Sequence, residues 1–334
     1  MIKCIGIRQI TTVNTGSTIM ILTNEELKKI YFGAYEFEET PEGFLKANQY
    51  TKAQMEYFKG AFDMWYERCD ASTAKTLELR TDASKISFDY KFLWKCSEDS
   101  VELYVDGLAS QIFYVKDMKE EGHLEFTLPE GVHDVVIYLV ADATLVIKDF
   151  SIDSSYEVPV KDTKVLWLGD SITQGYGPLR SSETYVSIAN RELNWDIINQ
   201  GIGGYIYDKK SLLKMPGYDP DKIVVALGTN QYGDGPEAVE EYYETLTGIY
   251  GTEKPILCIS PIWRGDNLEA LPVFYAFCEK VRTIAGRYPN ITVIDGLSLV
   301  PHLEEYYLDN LHPNCLGTET YAANLVKAIR KNGF

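Results

Sequence analysis

The sequence predicts two unlike domains: an antiparallel β-sandwich of jelly-roll type over residues 1–157, then an α/β domain with a parallel sheet between two helical layers over residues 158–334. Three observations predict this. Leu77 to Phe150 is a close succession of short strand patterns broken by turns. From Val165 onward, apolar runs alternate with helical stripes. Between them, Ser151 to Lys164 is polar and carries Pro159, as a boundary does.

In the first domain, Ile86-Ser87-Phe88-Asp89-Tyr90-Lys91-Phe92 alternates apolar and polar side chains, the period of a half-buried strand. Leu77–Arg80, Val101–Val105, Gln111–Val115, Leu124–Leu128, Val135–Val140 and Leu145–Phe150 complete the set, with turns at Asp106-Gly107 and Pro129-Glu130-Gly131. Many short strands at close spacing read as a sandwich or jelly roll. The stretch from Ile30 to Met64 mixes patterns and resists assignment. The chain has 24 tyrosines, and aromatic rings offer flat faces to sugars, but Phe88, Tyr90, Phe92, Tyr104 and Phe126 sit in strands, where core packing is the commoner role.

In the second domain, Val165-Leu166-Trp167-Leu168 is a continuous apolar run, as in a strand covered on both faces, and it stops at Gly169-Asp170-Ser171. The pattern recurs. Asp196–Asn199 runs into Gln200-Gly201-Ile202-Gly203-Gly204, Ile223–Leu227 into Gly228-Thr229-Asn230, Ile256–Ile259 into Ser260 to Arg264, and Ile291–Ile294 into Asp295-Gly296. Helical stripes lie at Val186, Ala189 and Leu193, at Val239, Tyr243 and Leu246, and at Tyr321, Leu325, Val326 and Ile329. Pro236 and Glu237 suit a helix start, and Gly333 suits an end. Right-handed crossovers place the carboxyl ends of all parallel strands on one edge. Ser171, Gly204 and Asn230 therefore gather where open α/β sheets hold their ligands.

A late segment, Asp309-Asn310-Leu311-His312-Pro313, adds a base. Pro313 keeps His312 out of the helical region, so the imidazole is carried on a loop. One turn brings Asp309 to Nδ1, which fixes the tautomer and leaves Nε2 free to take a proton from a serine.

These blocks resemble the SGNH (GDSL) hydrolases. Gly169-Asp170-Ser171-Ile172-Thr173, Asn199 to Gly204, Gly228-Thr229-Asn230 and Asp309 to Pro313 match the family's four blocks in order, and the resemblance spans residues 160 to 334. It implies a flavodoxin-like three-layer fold, Ser171 as nucleophile, His312 as general base and acid, and Asp309 as its orienting carboxylate. It also implies an oxyanion hole made of the Ser171 and Gly204 backbone N–H groups and the Asn230 side-chain amide. Such donors suit the role because they meet developing negative charge without titrating. Relatives often carry serine where this chain has Gly203, so Gly203 and Gly204 compete for the role; register from Asn199 favours Gly204. A sandwich ahead of such a domain is similar, more weakly, to the family 2 carbohydrate esterases, which are acetyl esterases. The resemblance therefore implies a serine esterase acting on a small acyl ester, acetyl foremost, of a carbohydrate or related hydroxylated substrate. A lipase or thioesterase for longer chains and a non-catalytic carbohydrate-binding protein are the alternatives. Trp263 and Arg264 follow the fourth strand and are candidates to line the substrate pocket, against the plainer reading of a core tryptophan and a surface arginine.

Other chemistries are disfavoured. The chain lacks G-x-S-x-G and the phosphate-binding G-x-x-x-x-G-K-[ST], its glycine pairs lack the third glycine of a dinucleotide site, and no histidine or cysteine pattern suggests a metal. The expected mechanism needs no cofactor. His123, His133 and His302 read as structural or exposed. A net charge of −17 argues against nucleic-acid or anionic-membrane partners. Six scattered cysteines (Cys4, Cys69, Cys96, Cys258, Cys278 and Cys315) suit reduced thiols. With no leader-like segment in residues 1 to 30 and no span-length apolar run, the expected location is cytoplasmic, unless a leader has been removed. The oligomeric state is left open.

Overall fold

A computed structural model describes residues 10–12, 18–95 and 98–334 and shows the two-domain α/β plus β-sandwich class. Cys4 and Cys96 lie outside the described residues. Among those described, the first domain holds a seven-stranded and a six-stranded antiparallel sheet. Its longest strand, Lys85–Lys95, pairs with Glu121–Thr127 on one side and Ala143–Ile152 on the other. The alternation read from the sequence is real: Ile86, Phe88, Tyr90 and Phe92 are all buried. The two sheets share one core, in which Phe88 stacks on Phe150 and which also takes in Leu79, Leu103 and Ile137 of the opposing sheet. Those rings therefore serve packing.

Three helices precede the main strands: Asn24–Ile30 (α1), Lys52–Ala61 (α2) and Asp63–Cys69 (α3). Capping boxes at Thr23/Glu26 and Thr51/Gln54 start α1 and α2. The α2–α3 pair leaves the sandwich. Tyr50, Phe58 and Cys69 are buried in one cluster with Leu166, Leu168, Ile198 and Ile223 of the parallel sheet. The stretch that resists assignment from sequence is thus partly a dock for the second domain.

The second domain has five strands, all parallel, in the spatial order Asp196–Gly201, Lys164–Gly169, Lys222–Ala226, Ile256–Ile259, Ile291–Ile294. Counted along the domain this is 2-1-3-4-5, the flavodoxin-like order. Its helices are Ser171–Gln174 (α4), Tyr185–Leu193 (α5), Glu237–Tyr250 (α6), Leu271–Ala285 (α7) and Cys315–Asn332 (α8). One face of the sheet (Val165, Trp167, Val224) packs on α5 and α8; the other (Leu166, Leu168, Val225) packs on α6 and α7. The strand Lys164–Gly169 has the second strand on one side and the third on the other. The chain therefore departs in opposite directions after strands one and three, and a crevice opens at their carboxyl ends. Among the described residues, no helix is long and apolar enough to cross a membrane.

Candidate active site

Ser171 is the first residue of α4, directly above the crevice. Two local features place it there. Asp170 caps the helix, its Oδ1 accepting the Ile172 N–H at 3.0 Å. Gly169 lets the helix fold back on the strand, since a Cβ there would lie 2.2 Å from the Thr173 hydroxyl. Full burial pushes the Asp170 carboxyl up to about 7.

The Ser171 Oγ lies 2.9 Å from His312 Nε2, and His312 Nδ1 lies 2.8 Å from Asp309 Oδ2. A nitrogen facing a carboxylate carries the proton, so Nδ1 donates and Nε2 accepts from the serine hydroxyl. The other Asp309 oxygen, Oδ1, accepts the backbone N–H of His312 at 2.8 Å and of Leu311 at 3.1 Å. Burial works to raise the Asp309 carboxyl, but the His312 backbone and imidazole hydrogen bonds outweigh it and hold the group below its ordinary value. The loop is pinned at its base by a bridge between Tyr307 and Pro313 and by the Leu308 N–H donating to the His312 carbonyl at 2.8 Å. From the other side, Tyr176 sets its ring edge-on to the imidazole, 4.7 Å between centroids. Gly177, at φ 129°, leaves room for the Pro313 carbonyl.

The glycine-rich turn after the second strand lies against α4: a Cβ at Gly201 would sit 2.4 Å from the Gln174 backbone nitrogen. The Gly203 N–H is engaged, donating to Gln174 Oε1 at 2.7 Å. The Gly204 N–H, at φ 73°, has no acceptor among the described residues, nor has that of Ser171. The Asn230 amide donates to the Tyr205 carbonyl at 2.9 Å, which ties the turn after the third strand to the residue following Gly204.

Trp263 and Arg264 are placed differently from the pocket-lining expectation. Trp263 is buried, stacked on His302 at 5.5 Å and edge-on to Tyr307. Its apolar surface turned inward, where burial is most favourable. Arg264 donates to the Thr229 carbonyl and pairs with Asp266, with its guanidinium over the Tyr232 ring at 4.7 Å. It braces the turn that carries Asn230. His123 and His133 pair with Asp89 and Asp106 in the sandwich, and His302 bonds the Leu297 carbonyl. Cys69, Cys258, Cys278 and Cys315 are free thiols. Among the described residues, no group of three or more His, Cys, Asp or Glu is arranged to hold a metal.

The sequence reading missed a wall of the site contributed by α3. The Met64 methyl lies 2.7 Å from where a Cβ at Gly204 would be, the Trp65 indole N–H donates to the Gly204 carbonyl at 3.3 Å, and the Arg68 stem covers Gly203. Nothing in the local pattern of residues 62–68 marks them, because their partners lie well over a hundred positions away.

Residues 167–319 match the model of the GDSL-like lipase/acylhydrolase family. No curated protein matches the chain in sequence. Among solved structures, the chain is similar to the salicylyl-acyltransferase SsfX3 from a tetracycline biosynthetic pathway (18% identity, 91% of this chain and 94% of that one, TM-score 0.72). It is also similar to a family two carbohydrate esterase from Clostridium thermocellum, solved in complex with cellohexaose (17%, 78% and 93%, TM-score 0.62). A third is an acetyl xylan esterase from the rumen bacterium Butyrivibrio proteoclasticus (16%, 77% and 90%, TM-score 0.55). These likenesses show a shared two-domain fold, and the family match covers the strands, turns and loop that bring Ser171, Asp309 and His312 together. The stretch of this chain that is similar to the GDSL-like lipase/acylhydrolase family, residues 167–319, is thus the one that carries Ser171, Gly204, Asn230, Asp309 and His312.

Proposed function

We propose that this protein is a serine esterase that removes a small acyl group, acetyl foremost, from a carbohydrate or related hydroxylated substrate by way of an acyl-enzyme. The observation that carries this reading is the unbroken line from the Ser171 Oγ through the His312 imidazole to Asp309, at 2.9 and 2.8 Å. Serine is a weak nucleophile until a positioned base takes its proton. Here Nε2 accepts that proton as Oγ attacks the ester carbonyl. The Asp309 carboxylate, ionised well into the acid range, stabilises the imidazolium.

The carbonyl oxygen gains negative charge as the carbon becomes tetrahedral. The Ser171 and Gly204 N–H groups and the second N–H of Asn230 are the donors assigned to it. Gly204 is preferred to Gly203 because the Gly203 N–H is already spent on Gln174. Collapse of the intermediate breaks the bond to the alcohol, which leaves with the proton from Nε2. Water then gives its proton to the same nitrogen, attacks the acyl-enzyme, and releases the acid and free Ser171.

A small acyl group is favoured because Met64 packs against Gly204, its methyl 2.7 Å from where a Cβ there would be. A sugar-borne ester is favoured because carbohydrate esterases match this fold over 77–78% of the chain. The test is hydrolysis of p-nitrophenyl esters of increasing chain length and of acetylated xylan and cello-oligosaccharides, with Ser171→Ala as control. Turnover is expected to be highest on acetate and to vanish in the variant. Retained turnover in Ser171→Ala refutes the nucleophile. Rates that climb with chain length refute the small-acyl reading in favour of a lipase. Folded protein that resists a fluorophosphonate probe points to a binding protein.

A further inference from the structure

We propose that the oxyanion turn is positioned from outside the hydrolase domain, by a buried polar relay that runs from Arg68 through Asp142 and Gln174 to the Gly203 N–H. The inference rests on the assignment of the Gly204 N–H as an oxyanion donor. Arg68, on α3, places Nη1 3.1 Å from Asp142 Oδ1. Asp142 belongs to the turn between two sandwich strands, His133–Tyr138 and Ala143–Ile152. The same Oδ1 accepts from Gln174 Nε2 at 2.8 Å, and Gln174 Oε1 accepts the Gly203 N–H at 2.7 Å. Asp142 is 2% exposed and Gln174 is 1% exposed.

The direction of every bond in the relay is fixed by chemistry. A guanidinium only donates and a carboxylate only accepts, so the Gln174 NH2 must face Asp142 and its carbonyl must face Gly203. The amide cannot flip without setting donor against donor at one end and acceptor against acceptor at the other. Each member is also anchored independently. Asp99 accepts the Asp142 N–H at 2.9 Å, which holds the sandwich turn. The Thr73 hydroxyl, from the same domain, donates to the Gln174 carbonyl. The Arg68 stem lies against Gly203, where a Cβ would come within 2.7 Å of its Cδ, and the guanidinium rests 5.8 Å from the Trp94 ring.

Gln174 ends the short helix that Ser171 begins. The relay therefore sets the distance between the nucleophile's helix and the turn that presents Gly204. It also occupies the neighbouring N–H, so the Gly204 N–H is the one left for the substrate. An oxyanion donor acts through preorganisation, so a small drift in this turn lowers the rate without weakening ground-state binding. Gln174, Asp142 and Arg68 are positioning residues and touch no substrate.

The test uses the full chain with Gln174→Met, Arg68→Met and Asp142→Asn, read by three measurements: kcat and KM on p-nitrophenyl acetate per fluorophosphonate-titrated site, the inhibition constant of a small alkylboronic acid, and Tm. The boron accepts the Ser171 oxygen and becomes tetrahedral, so its affinity reports the oxyanion site. Gln174→Met is expected to lower kcat by about 10- to 100-fold, with KM within about twofold, and to weaken the boronate by the same factor as kcat. Arg68→Met, which keeps the stem over Gly203, is expected to lose about 3- to 10-fold, and it replaces Gln174→Met as the deciding variant should that one not fold. Asp142→Asn keeps an acceptor for Gln174 and is expected to retain more activity than either. Variants with lowered Tm but unchanged kcat per titrated site and unchanged boronate affinity overturn the relay and leave it a domain tie. Wild-type protein that neither turns over the ester nor takes the probe overturns the esterase reading instead.

Discussion

Replacing Asp309 by asparagine changes no shape, yet the amide cannot satisfy all the hydrogen bonds that side chain makes. Oδ2 accepts from the imidazole and Oδ1 accepts two backbone N–H groups, so both ends of the carboxylate must accept. An amide has one accepting end. The favourable choice keeps it on the two backbone donors, which turns the NH2 toward Nδ1 and drives the proton to Nε2. Nε2 then cannot take the serine proton. Restoring the working tautomer sets two donors face to face, at about 1–3 kcal/mol. Loss of the charge adds to this. An ion pair at about 4 Å is worth about 1 kcal/mol in water and about 4 at an effective dielectric of 20. The Asp309 side chain is 44% exposed and so lies between these limits, at about 2 kcal/mol. Together these give a fall in kcat of about 150- to 5000-fold for Asp309→Asn, against about 30-fold for Asp309→Ala, whose imidazole stays free to choose its tautomer. The assay is steady-state hydrolysis of p-nitrophenyl acetate, with Tm as a check on folding. If the asparagine variant is more active than the alanine variant, the tautomer account is wrong.

Asn230→Ala is expected to lower kcat by about 100- to 1000-fold with little change in KM, measured on the same substrate; a change confined to KM argues against an oxyanion role. Gly177→Ala places a Cβ 2.2 Å from the Pro313 carbonyl oxygen at φ 129°, so it is expected to displace the His312 loop, costing about 1–3 kcal/mol of stability as well as activity; unchanged Tm and kcat together would count against the packing described. The Asp170 carboxyl, held at about 7 by burial against an ordinary 3.8, keeps its proton longer in the folded than in the unfolded protein. Its contribution to stability is therefore fully present below the unfolded value and is lost as pH rises toward 7. Asp170→Asn retains the cap acceptor and removes that titration, so thermal unfolding should show the variant gaining on wild type between pH 4 and pH 8; a constant difference in Tm at both pH values contradicts the sign.

The parts of this fold that are legible in the sequence share one property: the signal is local. Val165 to Leu168 reads as a covered strand because both faces of the sheet are packed, and Ile86 to Phe92 reads as a half-buried one because its polar positions face outward. Leu271–Ala285 is local too, yet it carries no assignment from sequence. Pro272 looks like a break there but occupies the first turn, where its missing N–H is not needed, and Phe274, Phe277, Cys278 and Val281 then follow at helical spacing. The turn residues Ser171, Gly204 and Asn230 follow from topology, since parallel strands must deliver them to one edge. What stays hidden depends on long-range contact. The choice between Gly203 and Gly204 turns on a Gln174 amide 29 positions away. The inward turn of Trp263 depends on His302 and Tyr307. The role of α3 depends on a glycine turn well over a hundred positions later.

That last dependence bears on what a domain is in this protein. By sequence pattern the hydrolase begins at residue 158, and the family match begins at residue 167. By contact it begins much earlier. Gln54 and Gln200 bond one another in the interior, with Gln54 also on the Ser211 carbonyl and Gln200 on the Gln49 carbonyl. Tyr50 and Phe58 complete an apolar core that Leu166 and Ile198 cannot close alone. Asp142 and Thr73 hold the end of the nucleophile's helix. Buried polar groups of this kind cost free energy unless every partner is present, so cutting the chain at the pattern boundary would strip Gln200 of its bonds to Gln49 and Gln54, and Gln174 of its bonds to Asp142 and Thr73. The first domain, with its α2–α3 pair, is therefore better regarded as one wall of the candidate site than as a module appended to it. Specificity sought only in the motif-bearing half omits Met64, Trp65 and Arg68, side chains of the first domain that stand against the glycine turn.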